Sequence, residues 1–344
     1  MLADAEPAPL TSGKPKSKNA APAALGLKGK IKEFCYQSFY RLFYSAERVL
    51  GVWVIFLFLR PIALIDLARR WKQLPQFDRL RRVAPKSFWQ GLSSGTHYRK
   101  MIFDWHESMG VSLLYGRMGA PYWRKRVTVR GKMPFDTPGW EKRPIIIAQM
   151  HVGGYALIRT WLRSHGIKAS LYVGGMPPIL DQPAFLKREA EVDRAYGLED
   201  IPGWFRTSHS LREILRFLKP GNVLVMALDG GNVSPDSDRQ ETGDFPIFVK
   251  KGVCRIGAQV NALVYPASFK RLGPCRYEAR FGQPVPDELL HKDDLTEATH
   301  HLVKELWRDI RADPDDLLWS ALESFPPTFE ERQRVVTERP RTWP

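Results

Sequence analysis

Between residues 144 and 311 the apolar positions keep two rhythms that alternate along the chain. The short apolar runs IIIAQM (145–150), ASLYVG (169–174), NVLVMAL (222–228) and ALVYPASF (262–269) are too short for core helices and predict buried strands. Segments compatible with helical spacing lie among them at 155–164, 183–196, 208–218 and 252–260, and a strongly periodic one follows at 295–311. Strands alternating with helices predict an α/β fold: a mostly parallel central sheet with helices on both faces. Tyr277 to Phe281 predicts an added antiparallel strand, and Val127 to Val129 begins a strand pattern. Residues 76–135 read as helical and then mixed, 230–244 as a turn-rich loop, and no internal repeat is visible.

The amino-terminal part follows a different pattern. Residues 31–75 are apolar and aromatic, but the uninterrupted apolar run, Val49 to Leu59, has 11 residues. A spanning helix needs about 20. Extension to Leu67 reaches that length only by including Arg60 and Pro61. Trp53, Trp71, Arg69, Arg70 and Lys72 suit helices lying in a membrane interface. The expectation is a membrane-associating helical region, peripheral or with one marginal segment; a buried helical hairpin capping the domain is the competing reading. The chain then divides into a basic tail expected to be disordered (1–30), these helices (31–75), the α/β domain (76–325) and a peripheral Pro- and Arg-rich tail (326–344).

Charge sharpens this division. The 344 residues carry a net +15. Residues 1–100 hold 18 Lys+Arg against 6 Asp+Glu, and the other 244 contribute only +3. A nucleic-acid-binding surface spread over the chain would not be so one-sided. A basic amino terminus beside apolar helices fits an anionic membrane, at roughly 1 kcal/mol per basic residue near the surface. Three scattered cysteines (Cys35, Cys254, Cys275) make neither a disulfide framework nor a zinc site, so a reducing, cytoplasm-facing location is expected. The start lacks the early apolar core of a cleavable signal.

The chemistry centres on RPIIIAQMHVGGYALIRTW (143–161). His151 ends an apolar run, Gly153 and Gly154 follow, and a helical segment begins. That order places an imidazole at the carboxyl end of a strand, where open α/β sheets hold their ligands. The glycines permit a tight turn and close approach of another molecule. Other signatures are missing: there is no GxSxG elbow, no phosphate-binding GxxxxGK[ST] and no strand-linked GxGxxG. Asp236-Ser237-Asp238 reads as a polar turn rather than a calcium loop. His300 and His301 are adjacent on a helix and do not share a face, so no metal is assigned.

These blocks, in this order, resemble the lysophospholipid acyltransferase superfamily, and most closely its late lipid A biosynthesis (lauroyl/myristoyl) branch. The resemblance runs from about Pro144 to Trp319, and DPDDLLW (313–319) supports its register. In that family the local motif is His, four residues, then Asp or Glu; His151 matches the base, and Ala156 stands where the acid belongs. Three explanations follow. Another carboxylate supplies the contact, with Asp229 at the end of VLVMALDGG (223–231) the best candidate, against a plain turn-forming Asp before Gly230 and Gly231. Alternatively, His151 works with only a backbone carbonyl, or the chain is a catalytically inactive relative that binds lipid or acyl carrier protein.

The resemblance implies transfer of a fatty acyl group from an acyl-carrier-protein or coenzyme A thioester to a hydroxyl or amine of a lipid-like acceptor. His151 would be the general base, in keeping with an imidazole titrating near neutrality. Backbone N–H groups at Gly153 and Gly154 would hold the oxyanion. Asp229 would orient or neutralise the imidazole. FPIFVKKGVCRIGAQ (245–259) matches a family block and offers Phe248, Lys250 and Lys251 for substrate, the lysines for a phosphate at a helix start. The family often has an Arg on the strand after the His helix; here glycines fall there, and Arg159 is the candidate substitute. No bound cofactor beyond the thioester co-substrate is implied. Membrane lipids and acyl carrier protein are the expected partners, at the cytoplasmic face of a bacterial inner membrane.

Overall fold

The computed structural model describes residues 27–114, 120–174, 183–206, 209–229 and 237–322. The amino-terminal helices are α1 (Leu27–Leu50), α2 (Arg60–Arg70) and α3 (Leu74–Arg81), followed by α4 (Ser94–Leu113) and the short α5 (Ala120–Arg124). Strands β1 (Val127–Arg130) and β2 (Ile145–Gln149) then lead to α6 (Leu157–Arg163), β3 (Lys168–Val173), α7 (Pro183–Ala195), β4 (Trp204–Arg206), α8 (Leu211–Phe217) and β5 (Asn222–Ala227). A hairpin, β6 (Ser237–Glu241) and β7 (Pro246–Lys250), precedes α9 (Gly252–Gln259), β8 (Leu263–Gly273), β9 (Arg276–Phe281), α10 (Asp287–Leu290), α11 (Thr296–Ala312) and α12 (Trp319–Leu322).

The strands form a seven-stranded sheet in the order β1-β9-β8-β2-β5-β3-β4. Every pairing in it is parallel except β8 with β9. The fold is therefore α/β with a mostly parallel central sheet. β2 lies at the centre because all five of its residues are buried and it has no polar face to turn outward. Ile146 and Ala148 enter a core shared with α3, α8, α9 and α11, while Ile145 and Ile147 enter a second core shared with α1 and α6. Helices cover both faces, and each buried Ile contributes roughly 1.5–3 kcal/mol through area removed from water.

Three local expectations change. Residues 27–30, assigned to the tail, form the first turn of α1. Ser237 and Asp238 begin β6, which falls inside the stretch 230–244 read as loop and pairs antiparallel with β7, Ser237 opposite Lys250 and Glu241 opposite Pro246. Charged alternating residues such as Ser-Asp-Arg-Gln-Glu carry little apolar signal, so the strand was hidden. The short β4 was missed for lack of length. Gly230, Gly231, Asp236 and the tails 1–26 and 323–344 lie outside the described residues.

The apolar stretch 49–67 is not one continuous helix. α1 ends at Leu50, Gly51 turns the chain with φ +55°, a π-helical segment Ile55–Leu59 follows, and α2 begins at Arg60 with Pro61 in its first turn. No helix among the described residues is long and apolar enough to cross a membrane. The π-helical segment packs on α4 at Gly110, where an added methyl would lie 2.9 Å from Ile55 Cγ2. Glycine permits that close approach.

Candidate active site

The parallel register of β2 and β5 sets the site. Ile145 pairs with Val223 and Gln149 with Ala227. Two residues further along each chain, His151 and Asp229 keep the same offset and meet. The His151 backbone N–H donates to both Asp229 carboxylate oxygens at 3.0 Å, and His151 Nδ1 lies 3.0 Å from Oδ1. The Asp229 side chain is fully enclosed, at 0% exposure, while the His151 side chain retains 18%. A carboxylate oxygen can only accept, so this contact fits the tautomer that carries its proton on Nδ1. This leaves the Nε2 lone pair free to take a proton.

The chain is held around this pair from several sides. Val152 forms an antiparallel bridge with Leu317; Gly153 N–H donates to Asp316 O at 2.8 Å, and Leu318 N–H donates to His151 O at 3.0 Å. Segment 313–319, read in the sequence as a marker of register, thus clamps the His151 turn. His97 on α4 fixes that segment in turn through Nε2, 2.8 Å from Leu317 O. The Tyr155 ring stands edge-on to the imidazole with centroids 4.5 Å apart. Burial, and then the Asp229 charge, hold its hydroxyl well above the usual tyrosine range.

Beside the clamp lies a charged network that sequence reasoning missed. Lys100 pairs with Asp316, with Asp315 at 3.2 Å and with Asp104 at 3.6 Å. Arg271 grips Glu107 with two bonds of 3.0 and 2.7 Å and approaches Asp104 at 3.3 Å. Burial pushes Asp104 up to about 6, against the lowering pull of Arg271 and Lys100. These residues come from α4, β8 and the segment after α11, too far apart in sequence for any spacing rule to join them.

The remaining sequence candidates divide. Gly153 does adopt a positive φ, +51°, as its turn requires. The oxyanion role assigned to Gly153 and Gly154 fails, however, because their N–H groups are spent on Asp316 O and on Phe269 O at 3.0 Å. Arg159 is also corrected. It is 1% exposed, paired with Glu189 and stacked 4.0 Å over the Trp204 ring, so it ties α6 to α7 and β4 and faces no substrate. Lys251 is paired with Asp294 at 2.9 Å and Asp238 at 3.7 Å. Lys250 is exposed, and its N–H bonds to Leu228 O at 3.0 Å, next to Asp229. Phe248 is half-buried in the hairpin opposite Arg239. Ala156 precedes α6 and has no acidic group to offer. Among the described residues no cluster of three or more His, Cys, Asp or Glu could hold a metal ion.

Comparison with known proteins adds little to this geometry. No family model matches the chain, and no curated protein matches it. Among solved structures the chain is similar to the 1-acyl-sn-glycerophosphate (LPA) acyltransferase PlsC from Thermotoga maritima, over 82% of this chain and 98% of that one, at 12% identity and a TM-score of 0.36. A similarity that loose carries no argument about chemistry, which rests on the His151–Asp229 pair.

Proposed function

We propose that this protein is an acyltransferase that moves a fatty acyl group from a thioester to a hydroxyl or amine of a lipid-like acceptor, with His151 as general base. The observation that carries the reading is the orientation of His151: Nδ1 is bound to an enclosed carboxylate and Nε2 is left free at the carboxyl edge of a parallel sheet. The order of sequence blocks that resembles the lysophospholipid acyltransferases supplies the reaction class. In the step, Nε2 takes the acceptor proton as its oxygen or nitrogen bonds to the thioester carbonyl carbon. The tetrahedral intermediate then expels the thiolate, and the imidazolium returns the proton to sulfur. Asp229 fixes the tautomer and offsets the imidazolium charge. No covalent enzyme intermediate and no cofactor are required, and the thioester rides on acyl carrier protein or coenzyme A.

The amino-terminal helices are proposed to seat the protein on the cytoplasmic face of an anionic inner membrane. Support comes from where exposed apolar side chains fall. Of the nine large apolar side chains more than half exposed among the described residues, seven (Phe34, Leu42, Val49, Trp53, Leu57, Leu64 and Ile65) lie in residues 34–65, and Leu211 and Leu272 are the other two. Exposed Arg41, Arg48, Arg60, Arg69 and Lys72 accompany the seven, the mixture expected of an interfacial element.

The test is thiol release from acyl-carrier and acyl-coenzyme A donors by the full chain on vesicles of bacterial lipid extract. Acceptor-dependent release that disappears in His151→Ala supports the reading. Equal rates in wild type and His151→Ala, or none with any donor, would leave a lipid- or carrier-binding relative without catalysis.

A further inference from the structure

The proposed reaction leaves one charge without a partner. When the acceptor bonds to the thioester carbon, the carbonyl oxygen becomes an anion, and acyl-transfer sites aim hydrogen-bond donors at it. Most donors in the turn at His151 are already committed. Val152 N–H bonds to Met150 O at 2.8 Å, Gly153 N–H to Asp316 O, Gly154 N–H to Phe269 O, Tyr155 N–H to Val152 O at 3.1 Å and Leu157 N–H to Gly154 O at 2.7 Å. The His151 N–H itself is held by Asp229.

The Tyr155 hydroxyl is different. From Pro144 to Ser164 every residue is buried except His151, Tyr155 and Ala156, which are half-buried. A molecule that reaches His151 along this segment therefore meets Tyr155, the one other side chain of the three with a polar atom. The turn from Val152 to Tyr155 folds the chain back, so the phenol and imidazole rings touch with centroids 4.5 Å apart and planes inclined at 62°. Tyrosine hydroxyls away from water find partners: those of Tyr44, Tyr98 and Tyr277 bond to Leu113 O, Arg70 O and Glu107. The Tyr155 hydroxyl has no hydrogen-bond partner among the described residues. Burial, and then the Asp229 charge, keep it protonated through the range in which an imidazole can act as base. The edge contact on the imidazole needs only the ring, and a phenylalanine would supply it equally well.

We propose that Tyr155 is the oxyanion donor of this site, its O–H bonding to the thioester carbonyl oxygen while His151 Nε2 takes the acceptor proton. The assignment rests on the acyl-transfer reading. The attacking oxygen or nitrogen gives its electron pair to the carbonyl carbon, and the carbonyl π pair moves onto oxygen, where the Tyr155 O–H holds it. Tyr155 keeps its proton throughout. The pair then returns to re-form the carbonyl, the C–S bond breaks, and the imidazolium proton goes to the thiolate. The experiment measures thiol release by the full chain from acyl-carrier and acyl-coenzyme A donors on vesicles of bacterial lipid extract, across the neutral pH range. Wild type is compared with Tyr155→Phe, which keeps the ring on His151 and removes the hydroxyl, and with His151→Ala. Removing one oxyanion donor costs about 10²–10³ in kcat, so kcat should fall about 100-fold while KM for the donor stays within about threefold. The melting temperature should not change. The acidic limb of the pH–rate profile, which reports the base, should also stay in place, whereas a residue that only tuned the imidazole would shift it. A Tyr155→Phe rate within about threefold of wild type, with His151→Ala dead, would overturn the assignment and leave the activity standing. The donor to test would then be the Ala156 N–H, which also lacks an acceptor among the described residues. A loss carried by KM alone, or by a moved acidic limb, would overturn it as well. Wild type without His151-dependent transfer would remove the assignment together with the reading it rests on.

Discussion

Replacing Asp229 with Asn is the most informative single perturbation, because the structure leaves the amide no good orientation. With its oxygen at the Oδ1 position, Asn keeps the bonds from Nδ1 and from the His151 backbone N–H, but its NH₂ then stands 3.0 Å from that same N–H, where Oδ2 now accepts. With the amide reversed, NH₂ faces Nδ1, moves the imidazole proton to Nε2 and blocks the base. Either way the charge that offsets the imidazolium is gone. The same change in a hydrolytic triad lowers kcat by about 10⁴, so a loss of 10³- to 10⁴-fold is expected, roughly 4–5.5 kcal/mol in the barrier. One lost or opposed hydrogen bond in an enclosed site costs about 1–3 kcal/mol of stability, which lowers the melting temperature by several degrees and leaves the protein folded. The assay is thiol release at saturating donor, with melting followed in parallel. Asp229→Ala should lose a similar factor in rate and more in stability, since the His151 N–H is then buried without an acceptor. An Asp229→Asn rate within threefold of wild type, while His151→Ala is dead, would refute the argument and reduce Asp229 to a structural anchor.

Further expectations follow from burial. His97 is pushed down to about 4, chiefly by burial, so the native state resists the proton that the unfolded chain takes up near 6.5. The stability it contributes is present above 6.5 and is lost as pH falls toward 4, by about 3 kcal/mol. In urea titrations between pH 7 and 4, wild type should lose that much relative to His97→Gln, and parallel curves would contradict it. Asp104 has the opposite sign: held up at about 6, it favours the native state most below 3.8 and loses that contribution as pH rises through 6. Gly110→Ala forces a methyl against Ile55 and Leu59 and should destabilise the seating of the amino-terminal helices by about 1–3 kcal/mol, read as a lowered melting temperature; no change would mean that the contact relaxes freely. Burial raises the thiols of Cys254 and Cys275 to about 11 and about 12, while Cys35 is exposed. Alkylation of the native protein followed by mass spectrometry should therefore find one modified cysteine, and a second would show that a core has opened.

The sequence by itself determined what depends on a residue's own neighbourhood. Ile145 to Ile147 have no polar face, so the strand had to be central, and the alternation of strands with helices made the sheet mostly parallel. The strand end, His151 and the positive-φ turn at Gly153 were legible for the same reason: a short apolar run that stops at glycines is a local fact. A strand of charged residues, β6, left no such mark, and neither did β4, because three residues hold too little pattern.

Tertiary structure alone decided how groups far apart were committed. Asp229 was one candidate partner for His151 among several readings, and the β2–β5 register is what brings its carboxylate to the imidazole across 78 positions. The Gly153 and Gly154 N–H groups looked available until Asp316 and Phe269 claimed them. Arg159 and Lys251 looked ready for substrate, and the fold pairs them with Glu189 and Asp294. A buried donor or charge must find a partner, but composition and spacing do not say which. That choice is made when strands and helices distant in sequence pack together, and it settled which of the residues suited to the chemistry were still free to perform it.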